Sequence, residues 1–158
     1  MIKIIAIGKI KEKALKSLID EYLKRISGYS KIEIVEVKDL KIPNNSSDAL
    51  EEKIIIDEGE LVLKRINPMD KVILLDLHGS ELDSKKMAKK FENLRIEANK
   101  DLVFVIGGSL GVSRYLRERA DFAWKMSDLT FTHQFVRILV LEQIYRFFKI
   151  NNNEKYHK

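Results

Sequence analysis

Residues 101–111 read Asp-Leu-Val-Phe-Val-Ile-Gly-Gly-Ser-Leu-Gly, an apolar run that leads directly into a glycine-rich loop. A short continuous apolar run is typical of a strand buried on both faces, as in a parallel sheet covered by helices. The carboxyl end of such a strand is where these sheets bind ligands. Glycines there permit positive φ angles and a close approach to the backbone. The stretch therefore predicts a central parallel strand that ends at a ligand site.

The loop matches neither of the two common glycine-rich fingerprints. Its sequence Gly107-Gly108-Ser109-Leu110-Gly111 lacks the G-x-G-x-x-G spacing of a dinucleotide-binding turn. It also lacks the G-K-[ST] ending of a phosphate loop. The loop alone therefore indicates a ligand site of another kind.

Strand patterns alternate with helix patterns along the rest of the chain. Ile32–Val37 alternates apolar and acidic residues, which indicates a strand with one exposed face near the sheet edge. Strands separated by long helices imply right-handed crossovers and a parallel sheet. We therefore expect a small doubly wound α/β domain that takes up residues 1–158. The predicted strands span 2–7, 32–37, 72–77, 102–106 and 122–126, and the predicted helices 11–26, 48–66, 84–97, 114–118 and 132–149.

The composition indicates a globular chain with a modest excess of positive charge. Its 158 residues include 29 Lys and Arg against 24 Asp and Glu, a net charge of +5. A chain of this length is expected to form one domain and to bury about two-thirds of its unfolded surface. Excess cations favour a polyanionic partner such as RNA, although many basic proteins bind no nucleic acid.

The chain has no cysteine, which excludes thiolate catalysis, disulfides and cysteine-based zinc sites. This is consistent with a reducing compartment. The early apolar stretch Ile4–Ile7 is too short for the core of a signal peptide and is followed by lysines. No stretch is long enough to span a membrane. We therefore expect a cytoplasmic protein with no membrane partner and no metal.

Three loops are expected to meet at the carboxyl ends of the parallel strands: 75–80, 107–111 and 126–133. Such a cluster of loops is the usual ligand site of an open α/β sheet. Any one glycine in them, such as Gly79, is better explained as a tight turn into a helix. Their joint placement favours a pocket.

Two features near these loops carry charge. Asp76 lies within an apolar strand, so its carboxylate is expected to reach a helix N-terminus, a basic side chain or a ligand. His133 and Arg137 lie four residues apart at the start of the last helix, which Thr130 or Thr132 can cap. They form either a cation pair suited to an anion, or a locally bonded histidine and an arginine paired with an acid.

The terminal segment, residues 151–158, is polar and ends in Tyr156, His157 and Lys158. Terminal segments normally fray, and an aromatic ring and an imidazole in one then mean little. The alternative is that the tail folds over the pocket. It then adds a stacking ring and a group that exchanges protons near neutral pH.

These motifs together resemble the SPOUT methyltransferases, and within them the small RlmH family of ribosomal RNA large-subunit methyltransferases. The resemblance runs the full length of the chain, and the combination of motifs is specific. It is carried by residues 4–9, Glu58-Gly59, 104–109 with Gly111, Thr130-Phe131, His133-Gln134, Arg137, Glu142-Gln143, Tyr145-Arg146 and Tyr156-His157-Lys158. One departure is Thr132, where the family usually has proline.

The resemblance implies a doubly wound, mainly parallel sheet with a C-terminal trefoil knot, a rarity that periodicity alone never predicts. It implies a homodimer in which each subunit completes the other's donor pocket. It also implies S-adenosylmethionine as methyl donor and ring nitrogen 3 of a pseudouridine in the large-subunit RNA of assembled ribosomes as acceptor. The implied catalytic residues are His133, Arg137, Tyr156 and His157, and the implied donor-binding residues are Leu75, Gly107, Gly108, Met126, Ser127, Asp128, Leu129, Thr130 and Phe131.

Two other functions compete with this one. The first is a non-catalytic module that binds ribosomes or RNA and has a degenerate pocket. The second keeps the methyl donor but acts on transfer RNA. The sequence shows no appended RNA-binding domain, which favours recognition supplied by a large particle such as the ribosome.

Overall fold

A computed structural model describes residues 1–157 of the chain. Five strands alternate with five helices, as the periodicity predicts. The strands are β1 (Ile2–Ile7), β2 (Ile32–Val37), β3 (Lys71–Glu81), β4 (Leu102–Ile106) and β5 (Phe122–Lys125). The helices are α1 (Lys13–Ser27), α2 (Asp48–Leu63), α3 (Ser84–Glu97), α4 (Arg114–Arg119) and α5 (His133–Asn151).

All strand pairs in the sheet are parallel, in the order β2-β1-β4-β3-β5. The apolar run of the opening stretch is β4, the central strand, and all five of its residues are buried. Phe104 of β4 pairs with Ile4 on one side and with Ile73 on the other. Strand β2 lies at the edge, so its acidic positions reach solvent as predicted.

Helices cover both faces of the sheet, which confirms the doubly wound architecture. Phe104 packs in a core with α1, α3 and α5, whereas its neighbours Val103 and Val105 pack in a second core with α2 and α4. This split follows from the strand geometry, in which successive side chains point to opposite faces. The larger core contains an aromatic cluster in which Phe91 of α3 contacts both Phe104 and Phe147 of α5. Helix α5 is thereby fixed against the sheet.

Four of the five helices start at a side-chain cap, and α1 is the exception. Ser47 accepts a hydrogen bond from the Leu50 amide at 3.2 Å. Asp83 and Ser113 cap α3 and α4 in the same way. Each cap satisfies one of the free amide groups in a helical first turn.

Three sequence predictions about the elements are wrong. Strand β3 does not end at Leu77 with a turn at Gly79, as predicted, but continues to Glu81, with a shift in register between Leu75 and Ser80 where it pairs with β5. Helix α2 ends at Leu63 rather than Ile66, because the last turn closes with hydrogen bonds to the third preceding residue. Ile96, which the apolar spacing within the predicted helix 84–97 places on its buried face, is 71% exposed.

Within residues 1–157, no helix combines the length and the apolar character that crossing a membrane requires.

Candidate active site

The three predicted strand-end loops line one cleft of about 1110 Å³. It opens at the carboxyl ends of β3, β4 and β5, where a parallel sheet usually binds its ligand. Helix α2 contributes Glu52 and Ile55 to the wall. The volume slightly exceeds the range typical of sites for one small molecule.

All but one of the nine residues expected to bind the donor line this cleft. They are Leu75, Gly107, Gly108, Met126, Ser127, Leu129, Thr130 and Phe131. The exception is Asp128, whose side chain is 82% exposed and whose carboxylate forms an ion pair with Lys125. Asp128 therefore contributes to the shape of the loop rather than to the cleft wall.

The glycines of the loop are required by the packing of the protein itself as well as by access to the cleft. A Cβ atom on Gly107 would lie 2.6 Å from Cγ1 of Val112, and one on Gly108 would lie 2.5 Å from Oε2 of Glu58. Of the glycines in this loop, Gly111 has the positive φ angle, +104°. The expectation that the glycines clear space for a ligand is therefore incomplete, because Gly107 and Gly108 also clear space for Val112 and Glu58.

The Glu58 side chain packs against Gly108 of the glycine-rich loop. Its Oε1 atom accepts a hydrogen bond from the Leu40 amide at 3.3 Å, and the side chain is almost fully buried. Burial raises the pKa of this carboxyl, the Leu40 hydrogen bond opposes the rise, and the nearby charge of Asp39 adds to it. The net pKa lies above the ordinary value of 4.5.

His133 is the candidate catalytic residue that reaches the cleft. It is the first residue of α5, and Thr132 caps this helix by accepting a hydrogen bond from the Phe135 amide at 3.4 Å. The imidazole lies over Gly8 at the end of β1, where a Cβ atom would come within 3.0 Å of the histidine Nε2. Gly8 has a φ angle of +94°, so glycine is required here for two reasons.

Arg137 lies behind His133 and does not line the cleft. Its guanidinium is buried, with Nη1 donating to Glu36 at 2.8 Å and Nη2 donating to the carbonyl of Gly8 at 3.1 Å. Its Nε atom is buried without a hydrogen-bond partner among residues 1–157. Of the two interpretations left open by the sequence, the arginine paired with an acid is therefore correct. A cation pair facing the cleft is wrong.

As far as residue 157, the tail is held by side chains of its own chain and does not reach the cleft of that chain, so its folding over the cleft of another copy stays a prediction. Tyr156 donates a hydrogen bond to Glu142 at 3.2 Å and packs edge-on against Tyr145. Arg146 donates to Nδ1 of His157 at 3.3 Å, since a guanidinium has no acceptor. Nε2 therefore carries the proton of a neutral His157 in this arrangement. Lys158 lies outside the described residues.

His157 lines a second cavity, of about 480 Å³. Ser84 at the start of α3 and Gln143 of α5 also line it, and the two side chains are 3.3 Å apart. Trp124 and Met126 line both cavities, so the two lie on either side of the end of β5. In a single chain, the structure thus separates His133 from the tail residues.

Three charged residues of the cleft were not among the predicted site residues: Glu52, Asp76 and Arg117. Asp76 meets the expectation that its carboxylate finds a basic partner, since Nε of Arg117 donates to it at 2.7 Å and the His78 amide donates at 3.0 Å. Burial raises the pKa of Asp76, but these hydrogen bonds and the charge of Arg117 outweigh it, and the net pKa is lowered. Arg117 carries no signal in the sequence, because it is one of three arginines between residues 114 and 119.

Metal-ligating side chains do not cluster in the described part of the chain: no group of three or more His, Asp and Glu is placed to hold an ion. The polar groups of the cleft are instead single side chains and backbone groups of the three loops.

Comparison with known proteins defines the class. A family model described as "Predicted SPOUT methyltransferase" matches residues 1–157, and the chain belongs to this family. The fold is also similar to the crystal structure of a transfer RNA methyltransferase from Aquifex aeolicus, with a TM-score of 0.52 and 13% identity. That match covers 92% of this chain and 69% of the other, and it bears on the fold alone.

Within that class, the chain is similar over its full length to proteins named ribosomal RNA large subunit methyltransferase H. Identity is 48% with such a protein of Clostridium perfringens and 47% with one of Acetivibrio thermocellus, over 99% of this chain and of each relative. A protein of Methanococcus maripaludis named as a putative member is also 48% identical. The chain belongs to the family of these proteins, as its motifs indicate. The trefoil knot stays a prediction.

Proposed function

We propose that the protein transfers a methyl group from S-adenosylmethionine to ring nitrogen 3 of a pseudouridine in large-subunit ribosomal RNA. The observation that carries the proposal is the single cleft at the strand ends, lined by all but one of the expected donor-binding residues. The relatives at 47–48% identity are named for the modification of large-subunit RNA. A substrate on assembled ribosomes places the reaction in the cytoplasm.

The walls of the cleft fit such a donor. Leu75, Leu129 and Phe131 provide apolar surface for an aromatic base, and the loops 107–111 and 126–131 provide backbone donors and acceptors at its edges. The bound donor supplies an electrophilic methyl group on a sulfonium. The volume of about 1110 Å³ leaves space beside a small molecule for part of a nucleotide.

The chain's own contribution is alignment and proton transfer. The ring nitrogen of the acceptor becomes a nucleophile when it loses its proton, and His133 presents an imidazole in the cleft that can accept one. The histidine is held over Gly8, and Arg137 ties the same glycine to Glu36 of β2. Arg137 thus acts as a positioning residue. Holding the reactants in line and excluding water from them supply much of the rate of such a transfer.

We further propose that the functional unit is a homodimer in which the tail of one copy completes the cleft of the other. His133 lies at the first residue of α5, whereas His157 contacts Arg146, about 20 Å further along the helix at 1.5 Å per residue. An apolar surface around the cleft supports a second copy, because Leu77, Leu129, Phe131 and Phe135 are 42–68% exposed.

The test is transfer of labelled methyl groups from S-adenosylmethionine to intact ribosomes, free ribosomal RNA and transfer RNA in parallel. We expect label in the large-subunit RNA of intact ribosomes, at ring nitrogen 3 of a pseudouridine. Label in transfer RNA alone would show the second methyltransferase function. Label in none of the three, together with no heat of donor binding in calorimetry, would leave a non-catalytic RNA-binding module.

A further inference from the structure

The cleft contains a cationic side chain, Arg117, to which neither the family match nor the predicted set of site residues gives a role. Arg117 of α4 lines the cleft and its side chain is 43% exposed. Its Nε atom donates to Asp76 at 2.7 Å, but its two Nη atoms make no hydrogen bond with any residue of 1–157. The outer edge of the guanidinium is therefore available to a ligand.

The Asp76 carboxylate fixes the direction of this cation. The side chain of Asp76 is only 5% exposed and is also held by the His78 amide at 3.0 Å. The negative end of the pair is thus buried in the wall, and the positive end faces the solvent of the cleft. A guanidinium held in this way presents two parallel N–H groups, the arrangement that matches two oxygens of a phosphate.

The surroundings of Arg117 favour a large ligand over a small one. Arg114 lies one helical turn away, so it shares a face of α4 with Arg117. Its guanidinium lies over the ring of Tyr115, 4.8 Å from the centroid. Both residues are exposed and lie outside the cleft lining, so neither would contact a methyl donor bound in the cleft. Exposed arginine and tyrosine side chains are typical contacts for an RNA strand.

The net charge of the cleft does not by itself explain why an anion would bind beside Arg117. Glu52 of α2 lines the same cleft, and the charge of Asp76 offsets that of Arg117. Attraction of a phosphate therefore depends on the free fork of Arg117 and on its direction. Because Asp76 is buried behind the guanidinium, the phosphate would contact the cation and not the carboxylate.

We propose that Arg117, held in place by Asp76, binds a backbone phosphate of the RNA substrate at the rim of the cleft, with Arg114 and Tyr115 extending this contact along α4. The contact positions the strand whose base enters the cleft, and it carries no base specificity. The proposal rests on the function proposed above, since it names how the RNA is held at the same site.

The experiment measures binding of fluorescently labelled protein to intact ribosomes over a series of salt concentrations, for Arg117→Gln and Arg117→Lys. The control is Arg95→Gln, which removes the same charge from the opposite face of the sheet, where Arg95 pairs with Glu92. We expect Arg117→Gln to raise the Kd for ribosomes about tenfold, as for loss of one charge-assisted contact. The slope of log Kd against log salt decreases by about 0.7 to 1.

Arg117→Lys keeps the charge but loses the fork, so we expect an intermediate Kd and an unchanged salt slope. The Kd for S-adenosylmethionine in calorimetry stays within twofold in all three variants. Ribosome binding by Arg117→Gln equal to that of Arg95→Gln would overturn the proposal. So would weaker donor binding with unchanged ribosome binding, which would assign the arginine to the donor's carboxylate.

The two proposals fail in different ways. If the unmodified protein labels no RNA but Arg117→Gln weakens ribosome binding as described, the methyltransferase function fails and the phosphate contact stands. If the protein labels ribosomes but Arg117→Gln binds them like the control, the function stands and the phosphate contact fails. Arg117→Lys, the milder change, keeps the test valid if Arg117→Gln does not fold.

Discussion

The two ends of helix α5 differ in how they hold their candidate catalytic residues. The beginning presents His133 to a cleft of about 1110 Å³ whose walls are loops and glycines. The end holds Tyr156 and His157 through the side chains of Glu142 and Arg146. Close steric contacts at glycines shape the first region, with the buried Arg137 and its partner Glu36 behind it, whereas charged hydrogen bonds hold the second. Each end thus has its own contacts, which suits two halves of one site that meet only between copies.

The largest effect is expected from Gly79, in the part of β3 that follows the residues of this strand lining the cleft. A Cβ atom on Gly79 would lie 2.6 Å from both the carbonyl carbon and the oxygen of Ala123. Because these are backbone atoms, no side chain can move aside, and β3 must separate from β5. We expect Gly79→Ala to lower the free energy of unfolding by about 3 kcal/mol, measured by chemical denaturation.

The matched control lies near the tail. Gly28 precedes Tyr29, which donates a hydrogen bond to Glu154, and it has an ordinary φ angle of −67°. Its nearest neighbour to a Cβ atom is the Arg25 carbonyl at 3.6 Å. Gly28→Ala should therefore be neutral or raise the free energy of unfolding by up to about 1 kcal/mol. Equal losses at the two positions would remove the steric half of the comparison.

A charge change at the tail end should affect catalysis more than stability. Glu142 accepts hydrogen bonds from Tyr156 at 3.2 Å and from Nη2 of Arg146 at 2.6 Å. Glu142→Gln removes the charge that these two hydrogen bonds depend on, so the tail is held less firmly. Part of the free energy of binding the partner's cleft must then be used to order the tail. We expect kcat/KM for methyl transfer to fall about tenfold, the loss for ordering one or two side chains.

Binding of the methyl donor distinguishes an effect on the tail from an effect on the cleft in this test. Because Glu142 does not line the cleft, the Kd for S-adenosylmethionine should stay within twofold in Glu142→Gln. The control is Glu92→Gln, another glutamate that pairs with an arginine, Arg95, on a helix surface. Equal kcat/KM for Glu142→Gln and Glu92→Gln would show that order in the tail does not matter for the reaction.

The smallest effects are expected from two glutamates with opposite pKa shifts. Burial raises the pKa of Glu58 beneath the glycine loop, whereas hydrogen bonds from Lys149 and Tyr29 lower the pKa of Glu154 beside the tail. A raised folded pKa costs stability as the pH rises through it. A lowered one contributes stability that is lost as the pH falls through it.

Denaturation curves across pH check both signs. Relative to the unmodified protein, Glu58→Gln should gain stability at about pH 8, and the gain should shrink towards about pH 4. Glu154→Gln should lose stability at about pH 7, and the loss should vanish below the lowered pKa. The same pH trend for the two variants would contradict the electrostatic contrast between the two ends.

Local patterns in the sequence predict most of the fold. The apolar run 102–106 and the alternation at Ile32–Val37 each report the burial of their own side chains, and both strands have the predicted bounds. Strand β3 differs, because its length depends on pairing with β5, more than 40 residues away. No local pattern at Gly79 reports a register shift that the partner strand imposes.

For the site too, features set by local sequence were predictable and contacts between distant residues were not. The loops of the cleft were predictable because parallel strands bring their carboxyl ends to one edge. The partners of Arg137 and Arg117 were not, because each is chosen by the packing of elements that are distant in the sequence. Glu36 lies 101 residues from Arg137, and Asp76 lies 41 residues from Arg117. The motifs of the resemblance indicated which residues matter but not which of them share a cleft.

In the proposed homodimer, a cleft and a tail from different copies form one site. Two homodimeric variants, His133→Ala and His157→Ala, are each expected to lose methyl transfer to ribosomes. When the two are mixed, unfolded and refolded together, each mixed dimer carries one intact cleft facing one intact tail. We expect labelled methyl transfer to return in the mixture, to roughly a quarter of the unmodified activity if chains pair at random. Activity in the mixture no higher than in the separate variants would contradict a site shared between copies.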